Sequence, residues 1–458
     1  MAKKEMVRDL TQGSIAKNLI KYAAPLFVAN SLQAVYNVVD LIVVGRVDGG
    51  ESMAAVSIGG ELIHLITFLV MGFCMAGQMI IAQYVGAGKR DSITRMIGTM
   101  FTVTFFLATA MLALCLLFGD QILHLLNTAP EAFDLAKSYY VTCITGIYFI
   151  SGYNVVCAIL RGMGDSLRPF IFIGVASVLN IVLDIWFVAG LGWSTFGAAL
   201  ATVIGQSVSF FAALIYLYIH RESFGFDFKW KSFRVHREVL GPLIKLGIPM
   251  SIQMAAVTFS KTLLARWING TGWEYSALSG IYNKLALFIG IVSNSFTTAG
   301  AANVAQNIGA SKYERVPRIL GLVALITGLI CAAASVLVML FPTFLFSLFT
   351  EDVRVLEISD ILIIPIVLCF MGACARAVGF SLINGSGNSR LNLLVAIFDG
   401  IIARIGLSYL FGFVMNMSCR GFWIGDGLAG YMPLVIGLVF FFTGRWKRND
   451  HIITKDSE

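Results

Sequence analysis

Charged side chains are scarce in this chain of 458 residues: Asp, Glu, Lys and Arg make up 13%, against about 25% in an average soluble domain. A water-soluble globule of this size could not cover its surface with so few charges, which excludes a cytosolic enzyme. The eight cysteines contain no Cys-x-x-Cys pair, and seven lie in apolar stretches as small packing residues. That excludes a disulfide framework and a zinc signature. No G-x-x-x-x-G-K-[ST] loop is present, which argues against an ATP-driven pump. No filter-like carbonyl motif suggests a channel. The net charge of +7 is spread over short connections, not gathered into a patch, so nucleic acid is not an expected partner.

What the chain has instead is apolar length. Hydrophobic residues make up 58%, and mean hydropathy is +0.82. A spanning helix needs about 20 mostly apolar residues, and such segments recur twelve times, at 22–44, 53–85, 92–118, 132–160, 168–190, 196–219, 239–268, 275–308, 315–341, 354–384, 391–415 and 424–443. They are too long and too uniformly apolar for barrel strands. The expected fold is an all-α polytopic membrane protein of twelve transmembrane helices. The N-terminal stretch 1–21 is basic and amphipathic, and the first apolar run after it carries Asp40, unlike a cleavable leader.

Lys and Arg concentrate in alternate connections. Lys89, Arg90 and Arg95, then Arg161 and Arg168, then the basic stretch 220–238 lie on one side. Arg46, Arg354 and Arg420 are the few on the other. The positive-inside rule puts both termini in the cytoplasm and the spans in the plasma membrane.

The chain also repeats itself. LIKYAAP (19–25) matches LIKLGIP (243–249), AQYVGAGK (82–89) matches AQNIGASK (305–312), and RGMGDS (161–166) matches NGSGNS (384–389). The offset is 223 or 224 residues each time. Six spans per half give both halves one orientation, a parallel repeat about an axis along the membrane normal. The expected domains are an N-lobe at 22–219, a cytoplasmic linker at 220–238, a C-lobe at 239–443 and a cytoplasmic tail at 444–458. The last spans are expected to drift out of register, through a longer outer loop around MNMSCRGFWIGDG.

Ionisable groups inside spans are costly, so they are candidates for function. Asp40 lies about 28 Å along the first span from Lys21, and Asp184 roughly 24 Å up the fifth from Arg168, at 1.5 Å per residue. Both fall in the outer half of the first bundle. Asn180 is one turn from Asp184 on the same face, and the descending sixth span brings Thr202 near their level. Two neighbouring carboxylates in a low dielectric resist ionising together, which suits a proton carrier. The same oxygens of Asp40, Asn180, Asp184 and Thr202 suit sodium. Tyr36 and Asn37 stand one turn from Asp40 as candidates for contact with substrate. The second half differs: Lys261, Lys284 and Arg404 make it basic, a wall suited to an anionic or zwitterionic ligand. Pro25, Pro249 and Pro365 are expected to interrupt their spans, since proline removes a backbone donor and leaves a flexible kink, and Pro25 is a candidate hinge below Asp40.

These features together resemble the multidrug and toxic compound extrusion (MATE) family. The twelve spans, the six-plus-six repeat, AQYVGAGK after the second span and NIVLD in the fifth carry the likeness over about residues 15–445. Asp in the first span, with Asn and Asp one turn apart in the fifth, is similar to the DinF-like prokaryotic branch. The resemblance implies cation-driven export of organic compounds through a cleft between two lobes. It also implies that Asp40, Asn180, Asp184 and Thr202 couple the cation and that Pro25 is a bending proline. No cofactor is expected beyond a coupling proton or sodium ion, and the partners are a small organic substrate and the bilayer around a monomer. The alternative is a flippase for lipid-linked or anionic amphiphilic substrates. An embedded enzyme built on Asp40 and Asp184 would lack a nucleophile or metal ligand set.

Overall fold

The computed structural model describes residues 7–125, 128–223 and 225–447. Among them every regular element is helical. Eleven helices are long and apolar enough to cross a membrane, and one further pair is bent by 50°. Counted as one span, that pair brings the total to twelve. In chain order they are α1 Ile15–Asp48, α2 Gly50–Gly86, α3 Arg90–His124, α4 Pro130–Thr145 with Ile147–Gly162, α5 Leu167–Gly190, α6 Ser194–Ile219, α7 Arg237–Asn269, α8 Trp273–Gly309, α9 Tyr313–Leu340, α10 Ser359–Ser386, α11 Ser389–Val414 and α12 Ser418–Phe442. Large apolar side chains stand outward on them, among them Leu117 at 68% and Phe442 at 80% exposed. In water that would be an aggregating surface; in lipid it is the solvated one.

The bend in α4 falls at Gly146, where a Cβ would lie 2.7 Å from the Val203 side chain. The expected proline interruptions do not occur. Pro25 lies inside the unbroken α1 and Pro249 inside the unbroken α7, because a spanning helix can re-satisfy the freed carbonyl locally. Pro365 is the third residue of the α-helical part of α10, where the missing N–H has no intrahelical partner to lose.

The described residues fall into two compact units, one within Met1–Asp9 and Ala24–Ser251, the other within Leu10–Ala23 and Ile252–Glu458. The chain therefore passes between units at Asp9–Leu10, inside α1 and inside α7, the last two within three residues of a proline, Pro25 or Pro249. The second copy of the repeated motif explains why residues 10–14, just before α1, count with the second unit. Gln306 Oε1 accepts the Leu10 N–H at 2.9 Å, and the Lys312 ammonium donates to the Thr11 carbonyl at 3.1 Å. Arg315 donates to the Gly13 carbonyl at 3.0 Å. In the first unit, Thr99 and Thr102 of α3 hold the linker backbone at His236 and Phe233.

Backbone geometry repeats as the motifs do. Left-handed residues pair as Gly49 with Gly272, Gly88 with Ser311 and Gly164 with Gly387, at an offset of 223. Beyond them Gly192 pairs with Asn416 and Ser194 with Ser418, at 224. The extra residue lies in α11, whose segment Phe398–Ala403 is wound as a π-helix. A π turn is the form a helix takes around one inserted residue. The last spans thus stay in register, contrary to the expected drift, and α12 begins at Ser418, not 424. The stretch around MNMSCRGFWIGDG reads as a loop because it carries Arg420, Asp426 and three glycines. Its connection, 415–417, is as short as 191–193, and Asp426 is neutralised inside the unit. The expected tail lies mostly outside the described residues, at 448–458.

Candidate functional site

In the first unit, α1 presents Asp40, α5 presents Asn180 and Asp184, and α6 presents Thr202. Asp184 is fully buried and Asp40 is 6% exposed. The two lie within coulombic reach of each other. The Asn180 amide donates to Thr202 Oγ1 at 3.4 Å. Turned over, it does better: its NH2 donates to Asp184 Oδ2 at 3.3 Å and its carbonyl accepts the Thr202 N–H at 3.2 Å. The helices come this close because residue 205 is glycine. A Cβ there would stand 3.2 Å from the Ala176 carbonyl and 3.5 Å from the Asn180 Cβ. Asp184 closes the α-helical part of α5, and a π segment, Ile185–Gly190, follows at once. One oxygen of each carboxylate, Asp40 Oδ1 and Asp184 Oδ1, is buried without a hydrogen-bond partner among the described residues.

A small cavity of about 10 Å³, room for about one water molecule, adjoins the cluster, lined by Tyr36, Ser177, Asn180, Thr202, Gly205 and Gln206 among others. Tyr36 therefore reaches the site, whereas Asn37 is exposed and does not line it. Ser177 and Gln206 went unread in the sequence. The signal was available: each stands three or four residues from Asn180 or Thr202, on the same helical face. Tyr139 of α4 was also missed. It is buried within the field of both carboxylates, and its ring fits because Gly59 of α2 leaves room.

The second unit holds its charges differently. Lys261 and Lys284 are exposed, and neither forms an ion pair with a described residue. Lys284 lies over the Phe349 ring, 5.7 Å from its centroid. Arg404 corrects the expectation of a ligand-facing wall. It is 1% exposed, donates to Asp399 Oδ1 at 2.9 Å and also pairs with Asp426 Oδ1. Arg376 joins Asp399 at 3.1 Å, and the Tyr282 hydroxyl donates to Asp426 Oδ2 at 2.8 Å. Both of Arg404's amino groups are engaged within its own unit, because an unpaired guanidinium could not be buried there.

Known proteins share this architecture. A protein of Bacillus subtilis (strain 168) described as probable multidrug resistance protein YoeA is 24% identical over 440 residues, 95% of each chain. A probable multidrug resistance protein NorM of Thermotoga maritima is 25% identical over 452 residues, 95% of this chain and 94% of that one. A crystal structure described as MATE in the bent conformation superposes with a TM-score of 0.86 at 24% identity, over 97% of both chains. The MatE family model matches twice, over residues 25–186 and again over 249–410, so each match covers one half of the repeat. With most of its length matched in this way, the chain belongs to the MatE family.

Proposed function

We propose that the chain is a secondary active antiporter. It exports organic compounds in exchange for an inward-moving cation, and the Asp40–Asp184 cluster is the ion site. The observation that carries this reading is the pair of buried carboxylates, each with an unpartnered oxygen. Burying an uncompensated charge costs several kcal/mol. Shifting a two-state equilibrium from 1:99 to 99:1 takes about 5.5 kcal/mol of differential binding. An ion that relieves the buried charge is thus strong enough to bias which side of the membrane is open, provided it binds one state better. The multidrug names of the relatives support an organic substrate.

The coupling ion is a proton. Sodium prefers several hard oxygens, and Asp40, Asp184, Thr202 and the Asn180 carbonyl offer them by type. In its satisfied orientation, however, Asn180 presents its NH2 to Asp184 and turns its carbonyl to the Thr202 N–H. That removes one oxygen from a sodium shell, and two neighbouring buried carboxylates resist ionising together, which suits protonation. The test is efflux of a fluorescent organic cation from proteoliposomes under an imposed pH gradient and, separately, a sodium gradient. A pH gradient drives efflux, and Asp40→Asn or Asp184→Asn lowers it at least about tenfold, equivalent to about 1.4 kcal/mol of lost driving interaction. Efflux driven by sodium alone would overturn the proton assignment. Efflux indifferent to both gradients would overturn the antiporter.

The exposed lysines favour a second class of substrate, one with an anionic or zwitterionic group. Replacing Lys261 and Lys284 by Gln weakens uptake of such compounds several-fold and leaves cationic dyes unaffected; equal effects on both would remove the idea. The chain resides in the plasma membrane with both termini cytoplasmic, so a C-terminal alkaline phosphatase fusion is inactive. The functional unit is a monomer, which native mass measurement checks.

A further inference from the structure

The offset of 224 carries the first-unit cluster onto the buried ion network of the second. Asn180 corresponds to Arg404, Asp184 to Ser408 and Thr202 to Asp426. The correspondence is not adjustable, because the π segment Phe398–Ala403 fixes the change from 223 to 224 just before Arg404. A second π segment, Leu410–Val414, follows Ser408 just as Ile185–Gly190 follows Asp184. The same place in the fold therefore holds, in one unit, carboxylates with unpartnered oxygens. In the other it holds a guanidinium paired with Asp399 and Asp426, Asp399 keeping one buried oxygen without a partner among the described residues.

We propose that Arg404 is a tethered cation: its guanidinium permanently occupies a cation site in the second unit and closes that site to any exchangeable ion. Charge supports this. Arg376 and Arg404 balance Asp399 and Asp426, so the buried group is neutral without an ion from solution. Tyr282 completes the hydrogen bonding of Asp426. Lys261, on α7, also acts on Asp426, and it stands exposed. A covalently held cation cannot leave when the protein changes state, so this site adds stability and takes no part in exchange. The protein then carries one exchangeable ion site, in the first unit. That count rests on the reading of the first-unit cluster given above; the occupancy of the second site does not.

Removing the tether exposes the latent site. Arg404→Ala leaves two buried carboxylates, one remaining arginine and a space the size of the lost side chain. The probe is guanidinium chloride at millimolar concentrations, far below denaturing levels, added to the purified full-length protein in thermal unfolding. A ligand that binds only the folded state raises its stability saturably. The expected result is a lowered midpoint for Arg404→Ala that guanidinium restores by several degrees. The wild type shows no such rise, and Arg404→Ala with Asp426→Asn loses the response. A folded Arg404→Ala protein without that recovery, or a double variant that recovers equally, overturns the proposal. Should Arg404→Ala not accumulate, ion-dependent stabilisation of the otherwise native protein decides. Asp184→Asn abolishes it if the proposal holds; a remainder that Asp399→Asn removes overturns it. Failure of the antiporter reading would show instead as transport indifferent to ion gradients, which leaves the guanidinium response untouched.

Discussion

Glycine 205 has no chemistry of its own, yet the first-unit site depends on it. Its missing side chain lets α6 approach α5 until Thr202 meets Asn180. Gly205→Val forces that seam apart at a cost of about 1–3 kcal/mol. The variant is expected to fold and to lose proton-driven efflux about tenfold, equivalent to about 1.4 kcal/mol, measured in proteoliposomes. Gly72 makes a tighter approach: a Cβ would overlap Ser251, whose hydroxyl donates to the Leu69 carbonyl at 3.0 Å. Gly72→Ala should lower the unfolding midpoint, again by about 1–3 kcal/mol of overpacking. Outside the spans, Asp227 organises the linker turn. It accepts from the Ser232 hydroxyl and from the Lys229 N–H at 3.2 Å, and these bonds hold its carboxyl below the usual carboxylate range. A depressed folded value means that its contribution is present above the unfolded value and is lost as pH falls through the folded one. Proteolytic nicking of the linker should therefore increase only in acid, and Asp227→Asn should remove that dependence.

At the scale of the element, helices carry the information that residues alone conceal. The π segment in α11 absorbs one residue and so aims Arg404 at Asp399 and Asp426. Inserting one alanine after Ile401 would give that segment a second extra residue and turn everything beyond it by about 100°. Unpairing a buried ion pair costs about 3–5 kcal/mol, so the insertion should depress thermal stability far more than insertion of one residue into the linker. Pro25 and Pro249 are related by the repeat, and both lie where the chain crosses between compact units. Each leaves a carbonyl without its intrahelical donor, a weak point in an otherwise continuous helix. Pro25→Ala and Pro249→Ala are expected to raise the unfolding midpoint and slow transport, each alone, measured as initial efflux rate against thermal midpoint. A faster rate in either would remove the hinge role.

At the scale of the molecule, the family's parallel repeat is visible in motifs, in left-handed backbone positions and in the doubled family match, but the two copies have diverged in charge. One keeps carboxylates with open oxygens; the other has internalised its counter-charge. The twelve spans and the members of the buried carboxylate cluster were legible from the chain because lipid tolerates no unsatisfied backbone and few charges. Apolar runs must therefore be helices, and each polar residue within one stands out. The start of α12 was not legible, because Arg420 and Asp426 look like loop residues until Asp426 is seen beside Arg404.

The amino-acid sequence by itself determined the membrane class, the number of spans, the repeat and the identity of Asp40, Asn180, Asp184 and Thr202. All of these follow from local apolarity and from rare polar residues that report on their own surroundings. Only the tertiary structure decided that Arg404 is enclosed while Lys261 and Lys284 are exposed, that Tyr36 and not Asn37 lines the cavity, and that Asn180 meets Thr202. Those outcomes depend on which helix faces meet. Pairing across 22 residues of chain, or across two glycine-lined seams, is set by packing that no single segment contains.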